Sequence, residues 1–393
     1  MLSTDNKILE EGTPARARMA EYAAMFRELH VVVLSRRNSR YPIPNIQKEN
    51  QLFIYSTNSK NKISALWDAY KIGKKIFNDN NVRLPRSRKL GLAMTEQERV
   101  GGWVITSHDP FELGLIGYLL KKKFGVPLQL QTHTDFMSPY FWHESLKNQI
   151  RVMLAKWLLP KVDGIRVVSE RIRRSLTSDV RRPTSDIQIL PIFVDAEKIR
   201  NASIKTDLHK KYPQFDFIIL MASRLSAEKN IGLAIGAMAD VLKNHPRAGL
   251  VVVGEGPEMK YQISNIKYQK LESNIMFEPW TEDLASYYKT ADLFLLTSLY
   301  EGYGRTVVEA MASGAPILMT DVGVAGDLVK DGRNGFVVSQ YDKRGLMERI
   351  IKLIEDKRLR DEFGKNNSEA VKSLPNKAVY LQRYKAALEK IYA

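Results

Sequence analysis

The chain has 393 residues, of which 44% are hydrophobic and 26% are charged. This composition is typical of globular proteins and excludes disordered and low-complexity chains, and the length predicts two domains. The sequence contains no cysteine, so disulfides, thiolate metal sites and a cysteine nucleophile are excluded. Because the sequence shows neither a long apolar run nor a signal peptide, we expect a cytoplasmic protein.

The net charge of +16 is unevenly distributed along the chain. Residues 1–195 carry 31 basic and 19 acidic side chains, a net charge of +12, whereas residues 196–393 carry +4. A basic half indicates an anionic partner such as lipid headgroups, nucleic acid or a phosphorylated substrate. A solvated basic surface is the alternative interpretation of the same count.

Short β-branched runs alternate with amphipathic stretches along the whole chain. In the first half the pattern predicts strands over 30–34, 52–55, 103–106, 127–130 and 165–168, and helices over 63–77, 111–124 and 145–159. In the second half it predicts strands over 217–220, 250–253, 293–296, 316–319 and 335–338, and helices over 232–242, 306–312, 344–355 and 378–392.

Near-continuous apolar strands that alternate with helices predict parallel sheets covered by helices on both faces. Two such blocks predict an α/β protein with two doubly wound domains. The polar, aperiodic segment 194–212 marks the boundary, and we expect domains over 1–195 and 196–375. The last helix, within 376–393, could pack on either domain, and we expect it on the N-terminal one.

The segment after the strand 293–296 carries two acids in a glycine-containing loop and the helix that follows it. Ligands of open parallel sheets bind at the carboxyl ends of the strands. Gly302 and Gly304 permit a tight turn close to a ligand, and the amides of the helix start suit a phosphate. Glu301 and Glu309 should lie on the order of 10 Å apart, which suits two parts of one ligand. Alternatively, Thr306 and Glu309 form a capping box that only closes the helix start.

Two cations stand five residues apart in the loop after the strand 217–220. Arg224 and Lys229 can converge on one diphosphate from such a loop. The alternative is that both are solvated loop residues.

The stretch 297–314 resembles the signature of retaining glycosyltransferases of family 4, which have the GT-B fold. The shared pattern is Glu301, seven residues and Glu309, with Gly-x-Gly after the first Glu and Ala-x-Ala-x-Gly after the second. The resemblance implies that Glu301 contacts the transferred sugar and Glu309 the ribose of the nucleotide. It also implies that sugar and diphosphate receive backbone amides from Gly302, Tyr303, Gly304, Arg305, Thr306 and Val307.

The loop around Arg224 and Lys229 resembles the family's Gly-Arg-x4-Lys loop, whose cations neutralise the leaving nucleotide diphosphate. Ser223 replaces the usual Gly. Two further donor contacts are implied by position. Gly254 lies in a turn that resembles the family's Gly-x-Gly-Pro, although a plain strand-exit turn explains it equally well. Glu278 stands where the family reads the base, mainly through backbone groups.

The N-terminal half resembles the family less closely. His133 follows the strand 127–130, in a region where the family places a His or Asp near the donor sugar, and Asp135 is expected to contact the acceptor. A capping or core histidine is the alternative for His133. Gly12 is the one glycine left of the family's first loop and is a candidate for close approach to the donor. Asp109 is interpreted as the cap of the helix from Phe111.

Basic residues form two groups in the first half of the chain: Arg83, Arg86, Arg88 and Lys89, then Lys147, Arg151, Lys156 and Lys161. The second group lies in or beside the helix 145–159, which also carries Met153, Leu154, Trp157, Leu158 and Leu159. Apolar and aromatic residues with interspersed cations indicate a helix that rests on anionic lipid at the inner face of the membrane. An interior-packed helix with a solvated face is the alternative.

The resemblance implies two doubly wound, Rossmann-like domains that face each other across a cleft, and a retaining enzyme without a metal ion or other cofactor. The donor is a nucleotide-diphosphate sugar, and the acceptor is a lipid-linked, polysaccharide or other glycan hydroxyl. A nucleotide-sugar epimerase of the same fold is one alternative. A non-catalytic, basic nucleic-acid-binding protein is the other, although no stacking-aromatic motif supports specific nucleic-acid binding.

Overall fold

The computed structural model describes residues 1–37, 46–82, 102–180 and 187–391, with the backbone alone at 179 and 180. The chain forms two compact units. Residues 1–168, 172–190 and 378–393 form the first unit, and residues 169–171 and 191–377 form the second. None of the described helices combines the length and the hydropathy that crossing a bilayer requires.

The first unit contains an eight-stranded sheet with the strand order β3-β4-β2-β1-β5-β6-β7-β8. Its strands are β1 (Leu2–Ser3), β2 (Leu29–Val33), β3 (Ile46–Glu49), β4 (Leu52–Ser56), β5 (Ile105–Ser107), β6 (Leu128–Thr132), β7 (Gly164–Val167) and β8 (Ile187–Ile189). Its helices are α1 (Pro14–Ala23), α2 (Lys62–Asp79), α3 (Glu112–Phe124), α4 (Pro139–Glu144), α5 (Leu146–Leu158) and α6 (Glu170–Val180), whose first two residues cluster with the second unit.

The second unit contains a six-stranded sheet with the order β11-β10-β9-β12-β13-β14, and every pair in it is parallel. Its strands are β9 (Phe217–Ala222), β10 (Ala248–Val253), β11 (Ile275–Glu278), β12 (Leu293–Leu296), β13 (Ile317–Thr320) and β14 (Gly335–Val338). Its helices are α7 (Ala196–Asn201), α8 (Leu208–Lys211), α9 (Ile231–Val241), α10 (Met259–Tyr268), α11 (Leu284–Thr290), α12 (Arg305–Ala312), α13 (Lys343–Glu355) and α14 (Lys357–Lys372). The prediction of two doubly wound α/β domains is confirmed.

Burial on both sheet faces explains why these strands are apolar throughout. All six residues of β9 and of β10 are buried. On one face of the second sheet, α13 packs Leu346, Ile350 and Leu353 into the same core, at the i, i+4, i+7 spacing of one helix face. Each such side chain contributes roughly 1.5–3 kcal/mol when it is fully buried.

One strand departs from the parallel pattern that the sequence predicts. Strand β3 pairs antiparallel with β4 at the edge of the first sheet, through a turn in which Asn50 has a φ of +51°. Three of the four β3 residues are exposed, including Ile46. Because an edge strand with little burial lacks an apolar run, its sequence carries no strand signal.

The last helix, α15 (Lys377–Glu389), packs within the first unit from residue 378 onward. Its Tyr380 and Tyr384 are buried, and the ring of Tyr384 stacks on Tyr22 of α1 with centroids 4.3 Å apart. The end of the chain therefore completes the core of the domain that the chain begins.

Candidate active site

Lys229 and Glu301 are in direct contact in the second unit. The Lys229 Nζ atom lies 2.5 Å from Glu301 Oε1, and the two side chains are 18% and 15% exposed. The hydroxyl of Ser298 donates to the same carboxylate oxygen at 2.9 Å. The structure thus brings together a residue predicted to contact the sugar and a residue predicted to contact the diphosphate.

Hydrogen bonds to backbone carbonyls hold together the two loops that carry this pair. The Thr297 hydroxyl donates to the Lys229 carbonyl at 2.9 Å, and the Leu299 amide donates to the Glu228 carbonyl at 2.8 Å. Both loops leave the carboxyl ends of the neighbouring strands β9 and β12. The meeting of Lys229 and Glu301 therefore follows from strand order and loop contacts.

Arg224 lies in the same loop as Lys229 and is 71% exposed. Its Nη2 donates to Glu228 Oε1 at 2.9 Å, and Ser226 Oγ donates to the same oxygen at 2.6 Å. Burial opposes ionisation of Glu228, but the hydrogen bonds from Ser226 and Arg224 outweigh it and lower its pKa. Glu228 was missed by the sequence reasoning, although an acid beside a predicted phosphate-binding cation was a visible signal.

Two glycines bring the next strand-exit turn against the Arg224 loop. A Cβ atom on Gly254 would lie 2.0 Å from the Ser223 carbonyl oxygen, and one on Gly256 would lie 2.1 Å from the Leu225 carbonyl oxygen. The Leu225 amide donates to the Glu255 carbonyl at 2.9 Å in the same contact. Gly254 thus packs against the backbone of the Arg224 loop. A direct contact between Gly254 and the sugar donor stays a prediction.

Glu309 is buried and does not cap its helix. Its carboxylate accepts hydrogen bonds from Arg305 Nε at 2.7 Å and from the Tyr288 hydroxyl at 3.0 Å. Helix α12 begins at Arg305 after Gly304, whose φ is +86°, and the helix start has no side-chain cap. The capping-box interpretation of Thr306 and Glu309 is therefore wrong, because Thr306 lies inside the helix.

The loop between Glu301 and α12 is largely buried. Among the residues predicted to offer amides there, Arg305 is exposed and Thr306 is half-buried, and the others are buried: Gly302, Tyr303, Gly304 and Val307. The turn after β13 closes on this loop, because a Cβ atom on Gly323 would lie 2.5 Å from the Tyr303 carbonyl oxygen. Gly323 was not singled out from the sequence.

Glu278 ends strand β11 inside a polar network of its own unit. Its carboxylate accepts from Lys211 Nζ at 2.6 Å, from the Tyr287 hydroxyl at 2.5 Å and from the Tyr212 hydroxyl. Burial opposes its ionisation, and these three hydrogen bonds lower its pKa below the ordinary value. The Glu278 carbonyl also accepts from the Gly254 amide at 2.8 Å. Contact with the base stays a prediction for this residue, whose side chain is already engaged.

His133, Asp135 and Gly12 all lie in the first unit. His133 Nε2 lies 3.1 Å from Gln131 Oε1, and burial, with Arg166 second, holds its pKa well below the ordinary value. Ser175 Oγ donates to Asp135 Oδ1 at 3.4 Å. Gly12 has a φ of +75° and lines a cavity of about 450 Å³ at the start of α1.

Asp109 behaves as the sequence predicts. Its Oδ1 accepts from the amides of Phe111 and Leu113 at the start of α3, at 2.8 and 3.3 Å. Burial is the largest influence on Asp109 and raises the pKa of its carboxyl to about 6. The cap interpretation is confirmed.

Two sequence families match the chain. The family described as glycosyl transferases group 1 matches residues 205–370, and glycosyltransferase family 4 matches residues 73–198. The chain belongs to the glycosyltransferases of family 4. The match covers parts of both units, including the loops of Arg224 and Glu301 in the second and His133 in the first.

Curated relatives of this family-4 chain include two bacterial enzymes. An alpha-monoglucosyldiacylglycerol synthase of Streptococcus pneumoniae is 29% identical over 265 residues, which are 63% of this chain and 59% of that protein. A poly(glycerol-phosphate) alpha-glucosyltransferase of Bacillus subtilis is 30% identical over 46% of this chain and 27% of its own length. The match with these two relatives thus spans less than two thirds of their lengths.

Solved structures share the fold of the chain. A sucrose-phosphate synthase from Thermosynechococcus elongatus superposes with a TM-score of 0.78 and 18% identity, over 100% of this chain and 98% of that one. The HepE protein of Anabaena, solved with UDP-glucose, gives a TM-score of 0.71 and 20% identity over 99% of both chains. The fold prediction, GT-B, is confirmed by these neighbours.

Among the described residues, no group of three or more His, Asp or Glu side chains is arranged to hold a metal ion. The prediction of a metal-free family-4 mechanism rests on Arg224, Lys229 and the start of α12 as sources of positive potential, and it stays a prediction.

The close approach at Gly256 gives a testable stability difference. Gly256→Ala should destabilise the protein by about 1–3 kcal/mol, because the added methyl group collides with backbone that cannot rotate away. Gly232→Ala in α9 is the matched control, since its Cβ would find the nearest atom at 4.0 Å. A helical Gly→Ala change should leave stability equal or up to about 1 kcal/mol higher. Urea unfolding of both variants measures this, and equal midpoints would contradict the role assigned to Gly256.

Proposed function

We propose that the protein is a retaining glycosyltransferase. It moves a sugar from a nucleotide-diphosphate sugar to a hydroxyl of a lipid-linked, polysaccharide or other glycan acceptor. The observation that carries the proposal is the contact between Lys229 and Glu301, 2.5 Å apart on loops that leave adjacent strand ends. The activities of two relatives, a glycolipid synthase and a polymer glucosyltransferase, support an acceptor of this kind.

The two cations would stabilise the leaving diphosphate. In the structure, Lys229 is paired with Glu301 and Arg224 with Glu228, so neither positive charge is left uncompensated. An entering diphosphate would compete for both cations and release Glu301 to accept hydrogen bonds from sugar hydroxyls. Negative charge that develops on the leaving phosphate oxygen is then met by charges already in place.

The reaction requires no nucleophile from the protein. The bond between the anomeric carbon and the phosphate oxygen breaks, and the acceptor oxygen bonds to the same face of that carbon. The acceptor proton passes to the leaving phosphate. Glu309, held by Arg305 and Tyr288, has remaining lone pairs for the two ribose hydroxyls.

The site geometry disfavours the epimerase alternative. That reaction needs carboxyl groups that exchange protons with the sugar. Glu301 accepts hydrogen bonds from Lys229 and Ser298. Glu309 accepts hydrogen bonds from Tyr288 and Arg305. Both carboxylates are held as acceptors, which suits binding and charge balance. We also propose that the protein has no specific nucleic-acid partner.

The diphosphate site is tested by Arg224→Ala and Lys229→Ala. Each change should lower kcat/KM for the donor by about a hundredfold or more, since stabilisation of a leaving group is often worth roughly 2–4 kcal/mol. Lys243→Ala is the matched control, because Lys243 pairs with Asp240 on the surface of the same unit and is 72% exposed. Melting temperatures measured in parallel separate lost chemistry from lost folding. Near-normal turnover in both variants would show that the diphosphate does not bind at this loop.

Metal independence is tested by transfer in excess chelator. Because Arg224, Lys229 and the positive end of α12 supply the compensating charge, the initial rate should be unchanged after EDTA treatment. Loss of activity that magnesium or manganese restores would show that a cation takes part.

We further propose that the first unit contacts an anionic membrane peripherally. Helix α5 exposes Leu146, Ile150, Met153 and Trp157, which recur at the spacing of one helix face. Of the residues that the sequence analysis assigned to a lipid-facing surface, Leu158 and Leu159 are fully buried instead, and Leu154 is half-buried. The helix thus packs inward through one face and keeps a second apolar face exposed.

Helix α2 also exposes large apolar side chains. Ile63 is 81% exposed and Trp67 is 58% exposed, and α2 and α5 both pack against α3. The pKa of Lys147 is lowered by partial burial and by the positive charges of Arg151 and Lys62, whereas Glu112 raises it. Cations gathered around exposed tryptophans fit an anionic lipid surface. The predicted basic group at Arg83, Arg86, Arg88 and Lys89 lies outside the described residues.

Membrane contact is tested by sedimentation with vesicles. The protein should bind phosphatidylglycerol vesicles at low salt and much less at high salt, since each cation contributes about 1 kcal/mol within a Debye length. The double change Trp67→Gln and Trp157→Gln should weaken binding. Trp280→Gln, a change of a residue of the second unit that is 56% exposed, should leave it unchanged. Equal binding to neutral vesicles, or none to either, would contradict the proposal.

A further inference from the structure

A directional chain of hydrogen bonds crosses the first sheet from the C-terminal helix α15. Gln129 Nε2 donates to the Ala387 carbonyl at 3.2 Å, and the Thr106 hydroxyl donates to Gln129 Oε1 at 3.5 Å. Gln131 Nε2 donates in turn to Thr106 Oγ1 at 2.8 Å. The Ala387 carbonyl can only accept a hydrogen bond, so it determines in turn which of the following groups donates and which accepts.

The other end of this chain is a buried cation. Arg166 is 3% exposed, and its Nη1 donates to Gln131 Oε1 at 2.9 Å. Its Nη2 donates to the Tyr380 hydroxyl at 3.0 Å and to the Leu190 carbonyl at 3.2 Å, and its guanidinium lies 5.1 Å from the ring centroid of Tyr384. Arg166 thus makes its hydrogen bonds with neutral groups.

The two ends determine the orientation of the Gln131 amide independently. A guanidinium can only donate, so the Gln131 atom facing Arg166 is the oxygen. The Ala387 carbonyl can only accept, so the chain that starts there places the Gln131 nitrogen toward Thr106. Both ends give the same orientation, and His133 Nε2, 3.1 Å from Gln131 Oε1, must therefore carry the proton.

The second ring nitrogen of His133 is then the unprotonated one. Burial lowers the pKa of His133, and Arg166, His108 and Arg18 act in the same direction. His108, whose ring lies 5.9 Å away, is itself held neutral by burial, with a pKa of about 3. Among the described residues, His133 Nδ1 makes no hydrogen bond. It is a neutral acceptor.

We propose that Arg166 and Gln131 are positioning residues that hold His133 as the Nε2–H tautomer, so that Nδ1 accepts a hydrogen bond from a sugar hydroxyl. A ligand group at Nδ1 must then be a donor, which favours a hydroxyl and excludes a phosphate or carboxylate oxygen. The contribution to sugar transfer rests on the proposed function, whereas the tautomer itself does not.

The tautomer can be measured without substrate. Protein labelled with ¹⁵N-histidine is recorded by long-range ¹H–¹⁵N correlation between pH 6 and pH 8 (about the range where an ordinary histidine titrates). The signal of His133 among the six histidines is assigned by its loss in His133→Asn. A neutral ring with an unprotonated Nδ1 throughout is the expected result. An unprotonated Nε2, a mixture, or a cationic ring would overturn the proposal.

Gln131→Glu supplies the matching perturbation. The carboxylate keeps an acceptor for Arg166 and His133, but its charge should raise the pKa of His133, so that the ring becomes doubly protonated as the pH falls. Tyr384→Phe is the comparison variant, since it removes the hydroxyl that Gln131 Nε2 contacts at 3.3 Å and leaves the acceptor on His133 intact. Its spectrum should keep the wild-type tautomer.

Kinetics separate this inference from the proposed function. If the tautomer and the proposed function are both correct, the transfer rate of Gln131→Glu should fall at acidic pH, in parallel with the ionisation of His133 seen by NMR. The transfer rates of the wild type and of Tyr384→Phe should not change over the same pH range. If His133 of Gln131→Glu titrates by NMR but the transfer rate does not change with pH, the tautomer is still supported, and a contact between His133 and the sugar is contradicted. Lack of transfer by the wild type with every sugar nucleotide would instead count against the proposed function.

Discussion

Main-chain contact between neighbouring strand-exit loops is the constraint on which the candidate site of the second unit depends. Gly254 and Gly256 lie so close to residues 223–225 that a Cβ atom would come within 2.0–2.1 Å of a carbonyl oxygen, and Gly323 approaches Tyr303 in a similar way. Because backbone atoms hold these loops together, the side chains at their tips are available for charges and for a ligand. The glycines of the site thus allow the main chains of neighbouring loops to come into direct contact.

Charge pairing is the second feature of the site. Lys229 and Glu301 are both largely shielded from solvent, whereas Arg224 is exposed and pairs with the less exposed Glu228. The Arg224–Glu228 pair, whose cation is exposed, contributes little net stability. Exchanging Glu228 for a diphosphate at Arg224 therefore costs little, and Arg224 stays in place while its partner changes.

The first unit uses a buried cation differently. Arg166 has neutral partners, and its charge acts on its surroundings: it orients the Gln131 amide and contributes to the low pKa of His133. The hydroxyls and the carbonyl that complete this network come largely from α15. The end of the chain thus takes part in setting the chemistry of a residue far from it in sequence.

The sequence by itself determined the α/β class, the apolar strands and the position of the Glu301 loop. Strands such as β12 and β14 are found at their predicted bounds, and Asp109 caps the start of α3 as predicted. These features are local, since burial on both faces demands continuous apolar residues and a helix start demands its own cap.

Only the tertiary structure decided which groups each polar side chain meets. Glu309 fits a capping box in sequence, yet it bonds Tyr288 from the preceding helix as well as Arg305. The exposed strand β3 gave no apolar signal, and the orientation of Gln131 depends on Arg166 and on a carbonyl of α15. Hydrophobic periodicity records how much of a residue is buried. It does not record its hydrogen-bond partner, because partners distant in sequence are brought together only by the packing of the whole domain.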